Sequence, residues 1–324
     1  MKIVEKIAAI PHLNKALLPT PLEYLPNLSS SAGTGVYIKR DDLSGHSFGG
    51  NKERKLDYII KDARLQERKT LLTVGAPHSN HCRMTAALGA VYGMKVELII
   101  ISAETNLDRD EGNMMLDMLF GANISIVPPQ QVQSKIDEMM NSLDAPYFIE
   151  GGGHCVLGLI AYIAAAEELK IQCENKGILP EYIVLPCGTG TTLAGIAMGC
   201  SLINWDVKVL GISVARSEKR CREEIDSICG RGCDYLQIPQ QQMKYEISDR
   251  FIGSGYGESY PESVAALKRV AVLEGIILDP IYNAKTMCGL LSGIENGNIS
   301  GTVIYWNTGG QPALFIDRYS KELC

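Results

Sequence analysis

A Gly/Thr run in the second half of the chain has the composition of an anion-binding turn. It follows an apolar segment, precedes a helical pattern and reads Gly188-Thr189-Gly190-Thr191-Thr192. Glycine lets the backbone approach a ligand closely, the free N–H groups at a helix start attract an anion, and threonine hydroxyls add donors. No Lys-Ser/Thr pair follows as in a Walker loop, and Leu193 stands where the dinucleotide fingerprint has its third glycine. The run therefore predicts either a phosphate-binding cup or an ordinary Gly-rich turn.

A basic segment near residue 50 could supply an amine for carbonyl chemistry. It reads Gly49-Gly50-Asn51-Lys52-Glu53-Arg54-Lys55. Two glycines leave space beside Lys52, and a lysine that forms a Schiff base must reach a carbonyl and be neutral part of the time. The alternative is a solvated helix start, because Lys52, Arg54 and Lys55 place three charges in one turn. The residues alone leave both interpretations open.

A third polar segment stands where another helix is expected to begin. It reads His78-Ser79-Asn80-His81-Cys82. Ser79 and Asn80 are typical helix caps. The same groups, with the backbone N–H groups of a helix start, could instead bind a carboxylate. The histidines and Cys82 do not predict a metal site, because no second ligand pair has matching spacing.

Short apolar runs alternate with longer helical patterns along the chain. Strands are predicted at 71–75, 95–102, 123–127, 147–151, 182–186, 208–214, 275–278 and 302–306. Helices are predicted at 51–66, 79–93, 107–119, 130–143, 156–175, 191–203, 261–274 and 282–296. The alternation indicates an α/β fold with mostly parallel sheets covered by helices. Ligands of such folds bind at the C-terminal ends of strands. We therefore predict one site built from distant segments. These are the polar or Gly-rich turns at 75–83, 150–155, 186–195 and 307–313, together with the segment 47–56.

Composition excludes several classes of protein. The chain has 324 residues, is 46% hydrophobic and 21% charged, and carries a net charge of −6, unlike disordered or low-complexity proteins. The negative charge argues against a nucleic-acid or acidic-membrane binder. No run reaches the roughly 18 apolar residues that span a bilayer. Ten cysteines and an N-terminus unlike a secretory signal predict reduced thiols and a cytoplasmic location.

The ordered set of segments resembles the D-cysteine desulfhydrase and 1-aminocyclopropane-1-carboxylate deaminase family. These are pyridoxal-phosphate enzymes of the tryptophan-synthase-β fold type. Besides the three segments above, the resemblance rests on Thr20-Pro-Leu-Glu-Tyr, Tyr37-Ile-Lys-Arg-Asp-Asp, Gly253-x-Gly-Tyr-Gly, Leu273-Glu-Gly-Ile-Ile-Leu-Asp-Pro-Ile-Tyr and Thr308-Gly-Gly-x-Pro-Ala-Leu-Phe. Each motif alone is weak, but their order along nearly the whole chain is specific.

The resemblance implies a role for each matching residue. Lys52 would hold pyridoxal 5'-phosphate as a Schiff base and move the α-proton of the substrate. Asn80 would bind the phenolate oxygen of the cofactor ring, and residues 188–192 would hold its phosphate. The substrate would lie against His78, Ser79, Tyr256 and Tyr282, with Ser79 and both tyrosines taking part in catalysis.

The resemblance also implies an assembly and a domain plan. The chain would form a homodimer. A small α/β domain would span 49–162. A large cofactor-binding domain would combine 1–48 with 163–324, and the site would lie in the cleft between them.

Two positions bear on which reaction is favoured. In the deaminases of the family a glutamate follows the second tyrosine and a leucine stands in the last motif, whereas this chain has Asn283 and Thr308. A carboxylate favours a protonated ring nitrogen and a strong electron sink. A threonine matches the desulfhydrase type and suffices when a thiolate leaves. We therefore predict α,β-elimination of D-cysteine to pyruvate, hydrogen sulfide and ammonia.

Other functions stay open at this stage. Two other reactions of the family stay possible, deamination of 1-aminocyclopropane-1-carboxylate and elimination from L-cysteate, because His78 and His154-Cys155 depart from the family pattern on the substrate side. A dinucleotide-dependent oxidoreductase is disfavoured, because the strand ending near Val214 leads into Ala215-Arg216-Ser217 and not into an acidic residue. A family member that has lost catalysis is the last alternative, and Lys52 argues against it.

Overall fold

A computed structural model describes residues 3–104 and 107–323 of the chain. The strands are Leu22–Tyr24 (β1), Val36–Arg40 (β2), Thr70–Gly75 (β3), Lys95–Ile101 (β4), Asn123–Val127 (β5), Pro146–Ile149 (β6), Tyr182–Cys187 (β7), Lys208–Ser213 (β8), Tyr245–Ser248 (β9) and Val303–Asn307 (β10). The α-helices are Ile3–Ala8 (α1), Pro26–Ala32 (α2), Asn51–Leu65 (α3), Asn80–Val91 (α4), Gly112–Leu119 (α5), Val132–Ser142 (α6), Val156–Lys176 (α7), Thr191–Leu202 (α8), Glu218–Leu236 (α9), Pro261–Glu274 (α10), Asn283–Glu295 (α11) and Asp317–Leu323 (α12).

The strands form two sheets. The larger sheet has the order β1-β2-β10-β7-β8-β9, and the smaller one has the order β5-β4-β3-β6. Only β1 runs antiparallel to its neighbour among these strands. Separate apolar clusters on the two faces of each sheet contain helix residues, so helices cover both faces. The predicted mostly parallel α/β fold is confirmed.

The central strands show why the apolar runs become strands. Every residue of β7 and of β10 is buried, as expected for strands that are covered on both faces. Residues 70–149 supply the small sheet, whereas 22–40 and 182–307 supply the large one. These ranges lie inside the predicted domain boundaries, but the division into two domains stays a prediction.

The secondary-structure prediction needs correction in several places, and β1, β9, α1, α2 and α12 were not predicted at all. The strand predicted at 275–278 is wrong: Gly275 ends α10 in a left-handed conformation, and an irregular segment continues to α11. The sequence patterns missed β2, because charged residues occupy its end. Lys39 is nevertheless fully buried there, since it pairs with Glu168. They also missed α9, whose solvent face carries many charges.

Among the described residues, no helix is long and apolar enough to cross a membrane.

Candidate active site

A cavity of about 550 Å³ opens where strands of both sheets end. Residues from all five segments selected in the sequence line it. Of the predicted site residues, those on its wall are Lys52, Ser79, Asn80, Gly188, Thr189, Gly190, Thr192, Tyr256, Tyr282 and Thr308. Thr191 and His78 are not on the wall. The structure therefore brings ten of the twelve residues, from distant parts of the chain, to one space.

Lys52 enters the cavity from the first turn of α3. This turn is tied to the segment after β10, because the N–H of Asn51 donates to the carbonyl of Thr308 at 3.0 Å. Gly50 has a φ of 118°, and a Cβ there would lie 2.9 Å from the same carbonyl. Only glycine permits this close approach in that conformation.

The amine of Lys52 is in a state suited to carbonyl chemistry. Its Nζ donates to Oδ1 of Asn51 at 2.8 Å, and in the described part of the chain it pairs with no carboxylate. Burial, followed by the nearby positive charge of Arg83, lowers the pKa of Lys52 to about 8. A substantial fraction of the amine is therefore neutral near physiological pH.

Lys55, one turn further along α3, is a wall residue that sequence reasoning did not single out. It is 1% exposed, and its Nζ donates to the carbonyl of Gly152 at 3.1 Å. No carboxylate among the described residues lies within ion-pair distance of it, whereas the adjacent Arg54 pairs with Asp41 and Glu168. Burial and the charge of Lys52 lower the pKa of Lys55. A buried amine without a counter-charge is suited to binding an anion, because the anion favours its protonated form.

The Gly/Thr run forms a cup, here residues 188–192, between β7 and α8. Gly190 adopts a left-handed conformation at the helix start, and no described side chain caps this end of α8. The first N–H groups of α8 are therefore left for a ligand. Across the opening, a Cβ on Gly152 would lie 3.0 Å from Cγ2 of Thr189, so glycine keeps the space open.

Ser79 and Asn80 lie at the start of α4, as predicted. Oγ of Ser79 accepts the N–H of Cys82 at 3.2 Å and so caps the helix. Oδ1 of Asn80 accepts from Nδ2 of Asn113 at 2.9 Å. That bond fixes the amide orientation and leaves the Nδ2 group of Asn80 as a donor on the cavity wall.

Tyr256 and Tyr282 form a pair on another part of the wall. Their hydroxyl oxygens are 2.6 Å apart, and their rings meet edge to face. Burial raises the pKa of both phenols, so each carries its proton at neutral pH. The pair can donate one hydrogen bond to a ligand while the hydroxyls bind each other.

Thr308 follows β10, and Asn283 forms hydrogen bonds to it from the side away from the cavity. Nδ2 of Asn283 donates to Oγ1 of Thr308 at 3.3 Å, and Oδ1 of Asn283 accepts the N–H of Thr308 at 3.1 Å. The same Nδ2 donates to the buried carboxylate of Asp279 at 2.6 Å. Asn283 is fully buried, and its Nδ2 also donates to the carbonyl of Gly309 at 2.7 Å, so it positions the segment after β10.

His78 lies in the predicted segment but outside the cavity wall. Its ring meets that of Tyr319 edge-on with centroids 6.0 Å apart. Burial, followed by the charge of Arg318, lowers the pKa of His78 to about 4. The histidine is therefore neutral at physiological pH, and its contact with substrate stays a prediction.

Comparison with known proteins identifies the family. A family model described as "Pyridoxal-phosphate dependent enzyme" matches residues 13–309. A D-cysteine desulfhydrase of Klebsiella pneumoniae subsp. pneumoniae is 33% identical over 96% of this chain and 98% of its own length. A putative 1-aminocyclopropane-1-carboxylate deaminase of Pyrococcus abyssi is 31% identical over 99% of this chain and 98% of its own. The chain belongs to the D-cysteine desulfhydrase and 1-aminocyclopropane-1-carboxylate deaminase family of pyridoxal-phosphate dependent enzymes.

Solved structures agree with this assignment. The crystal structure of an ACC deaminase homologue matches with a TM-score of 0.90 and 31% identity, covering 99% of this chain and 98% of the other. Threonine deaminase isoform 2 of Solanum lycopersicum matches with a TM-score of 0.71 at 16% identity, covering 99% of this chain and 86% of the other, and shares the fold.

The cavity fits pyridoxal phosphate by the chemistry of its donors. The cup offers N–H groups for a phosphate, and the buried Lys55 offers an amine that a phosphate would keep protonated. Lys52 offers a partly neutral amine for the aldehyde. Asn80 offers an amide donor suited to a phenolate oxygen.

Proposed function

We propose that this enzyme catalyses α,β-elimination of D-cysteine to pyruvate, hydrogen sulfide and ammonia. The observation that carries the proposal is the hydroxyl of Thr308 on the cavity wall, held by the amide of Asn283. Glu150 and Glu224 are the only acids on the described wall, and both contact arginines. A ring nitrogen facing Thr308 would thus have a hydroxyl partner and no carboxylate to hold it protonated. Departure of a thiolate needs less electron withdrawal than opening a cyclopropane.

Lys52 is proposed to carry the cofactor and to move the α-proton. When bound, pyridoxal phosphate supplies an electron sink for the negative charge that develops at the α-carbon of an amino acid. In the presence of substrate, the Nζ of Lys52 would be available to accept the α-proton. Its lowered pKa makes the neutral, proton-accepting form available.

The remaining wall residues are proposed to orient substrate and handle the leaving group. Ser79 and the N–H groups at the start of α4 would bind the substrate carboxylate. Tyr282, with Tyr256 behind it, would donate a proton to the departing sulfide as the carbon–sulfur bond breaks. The remaining aminoacrylate then takes up water and gives pyruvate and ammonia.

Deamination of 1-aminocyclopropane-1-carboxylate is the second candidate. The names of the Pyrococcus abyssi relative and of the crystallised homologue favour it. The buried tyrosine pair is compatible with either reaction. Elimination from L-cysteate is the third candidate; of the two histidines that suggested it, His154 lines the cavity and His78 does not.

A substrate panel tests the proposal. The visible spectrum of the purified enzyme and the release of pyruvate and sulfide would be recorded with D-cysteine, L-cysteine and L-cysteate. With 1-aminocyclopropane-1-carboxylate, 2-oxobutyrate would be measured. We expect a cofactor band that changes with D-cysteine, together with equal amounts of pyruvate and sulfide. Preferential turnover of the cyclopropane or of L-cysteate would replace the proposed substrate, and the absence of a cofactor band after loading would contradict the role of Lys52.

The homodimer and the cytoplasmic location implied by the resemblance also stay predictions. Sedimentation of the holoenzyme at several concentrations tests the first.

A further inference from the structure

His154 stands beside the cup and connects it to α9. It lies in the segment between β6 and α7, and its side chain is 12% exposed. Its Nδ1 is 2.6 Å from Oγ1 of Thr191, and its Nε2 is 3.3 Å from a carboxylate oxygen of Glu224. Oγ1 of Thr191 is in turn 3.5 Å from Oγ1 of Thr189, which lines the cavity. A continuous chain of polar groups thus runs from Glu224 to the cup.

Charged groups approach this histidine from several elements. Lys55 comes from α3, Arg216 from the segment before α9, and Glu224 and Arg231 from α9 itself. Glu224 also contacts Arg216 at 3.6 Å and Arg220 at 2.6 Å. Burial and the charge of Lys55 lower the pKa of His154 to about 4. With no anion in the cup, the imidazole is therefore neutral at physiological pH.

The neutral imidazole orients the hydroxyls away from the cup. A neutral ring facing a carboxylate places its proton on Nε2 and donates to Glu224. Its Nδ1 then accepts the hydroxyl proton of Thr191, whose oxygen accepts the proton of Thr189. The hydroxyl protons of Thr189 and Thr191 thus both point toward His154 and cannot be donated to a ligand.

A protonated imidazole reverses this direction. Both ring nitrogens then donate, so Nδ1 donates to the hydroxyl oxygen of Thr191. The hydroxyl of Thr191 can then donate to the oxygen of Thr189, and the hydroxyl of Thr189 can donate to a ligand in the cup. A phosphate dianion favours the protonated imidazole for two reasons: its negative charge stabilises the positive charge of the ring, and it accepts the hydrogen bond that Thr189 can now donate.

We infer that His154 is a positioning residue of the cup, which takes up a proton when a phosphate dianion binds and turns the hydroxyls of Thr191 and Thr189 toward it. The inference rests on the proposed placement of the cofactor phosphate in the cup. It gives a function to a histidine that departs from the family pattern.

Binding to the apoenzyme tests the inference without turnover. The probes are 4'-deoxypyridoxine 5'-phosphate, which carries the phosphate but no aldehyde to react with Lys52, and 4'-deoxypyridoxine, which lacks the phosphate. Calorimetry near pH 8, in buffers that differ in ionisation enthalpy, gives the affinity and the protons taken up. The phosphate is already a dianion at that pH, so the uptake comes from the protein.

For the wild-type apoenzyme we expect proton uptake with the phosphorylated probe only. His154→Gln keeps hydrogen-bonding atoms but cannot take up the proton, so it should reduce that uptake, and the part that remains comes from Lys52 and Lys55, whose lowered pKa values the dianion also raises. Its preference for the phosphorylated probe should fall about tenfold, because one charge-assisted bond is lost. Glu224→Gln, which retains His154, should reduce the uptake less. His12→Gln, whose ring stacks on Tyr58, is the matched control and should bind like wild type.

Two results would overturn the inference, and they differ. Equal proton uptake and equal preference in wild type and His154→Gln would remove the role of His154 and leave the phosphate placement intact. No preference for the phosphorylated probe in the wild type would overturn the placement itself, and the inference with it.

Discussion

The cavity has two sides that are built from different kinds of donor. The phosphate side consists of residues 188–192, Lys55 and His154, and besides threonine hydroxyls it offers backbone N–H groups and the amine of Lys55. The tyrosine side consists of Tyr256, Tyr282 and Thr308, and it offers only hydroxyls. Backbone and lysine donors have one direction, whereas a hydroxyl can both donate and accept. The first side is suited to holding a fixed anion, and the second to passing protons during a reaction.

The first turn of α3 joins the two sides. The N–H of Asn51 donates to the carbonyl of Thr308 on the tyrosine side, and its Nδ2 donates to Oγ1 of Thr192 in the cup at 3.1 Å. Lys52 lies in this turn, whereas Lys55 lies one turn further along α3, where its Nζ donates to the carbonyl of Gly152. The comparison therefore predicts separable defects: loss of cofactor affinity on one side and loss of turnover on the other.

Replacing Lys52 should give the largest effect, because the residue serves both sides. We expect Lys52→Ala to lower the rate of pyruvate release from D-cysteine by at least about 10⁴-fold, since both the covalent attachment and the proton transfer are lost. Borohydride treatment of the loaded enzyme, followed by mass spectrometry, should attach the cofactor to the wild type and not to this variant.

The exposed Lys69→Ala is the matched control and should retain full turnover. Substantial turnover by Lys52→Ala would remove the residue from the mechanism.

Tyr282→Phe tests the tyrosine side. Removing this hydroxyl should lower kcat by about 100-fold, the usual contribution of a positioned proton donor. The affinity for pyridoxal phosphate should change little, because the phosphate side is intact. Steady-state kinetics and cofactor titration measure the two quantities separately.

Tyr235→Phe removes a hydroxyl from an exposed tyrosine and serves as the control. An equal loss of affinity and of kcat in Tyr282→Phe would show that the two sides are not separable.

Lys55→Met tests the phosphate side. A lost charge-assisted hydrogen bond costs about 1.5–3 kcal/mol, so pyridoxal phosphate should bind about 10–100-fold more weakly. Pyridoxal, which lacks the phosphate, should bind as it does to the wild type. With saturating cofactor, kcat should largely recover.

Lys61→Met, a half-buried lysine of the same helix that does not line the cavity, provides the comparison. A matching loss of affinity for pyridoxal would mean that Lys55 supports the fold and not the phosphate.

The difference between Lys52 and Lys55 shows what the sequence could predict. The ordered motifs selected Lys52, and the apolar runs located the strand ends where the site lies. Lys55 looked like one more surface charge, because its burial depends on Gly152, almost a hundred positions away along the chain. Strand β2 was missed for the same reason, since Glu168 makes the burial of Lys39 tolerable. Local patterns carry no information about such distant partners.

The histidines illustrate the same limit. His78 directly precedes the wall residue Ser79 in sequence but lies outside the wall, because the turn before α4 directs its ring toward Tyr319. His154 is distant from the cup in sequence and yet contacts Thr191. Side-chain direction in a turn depends on the packing around it.

The smallest expected effect is a pH dependence of cofactor capture. A protonated amine cannot add to an aldehyde, so the rate at which the apoenzyme binds pyridoxal phosphate covalently should follow the neutral fraction of Lys52. With a pKa of about 8, this fraction rises as the pH increases through 8 and then levels off. One unit below that value the rate should be about tenfold below its plateau. Stopped-flow absorbance of the apoenzyme mixed with pyridoxal phosphate measures this rate.

The pH at which the capture rate reaches half its plateau shows what lowers the pKa of Lys52. Burial is the largest cause and the charge of Arg83 the next, so the midpoint should lie well below that of an exposed lysine. Pyridoxal, which carries no phosphate charge into the cavity, should give nearly the same midpoint if burial dominates. A midpoint near the ordinary lysine value of 10.5 would show that Lys52 is solvated before the cofactor arrives. Its reactivity would then depend on the phosphate side closing the cavity first, and the two sides would act in sequence.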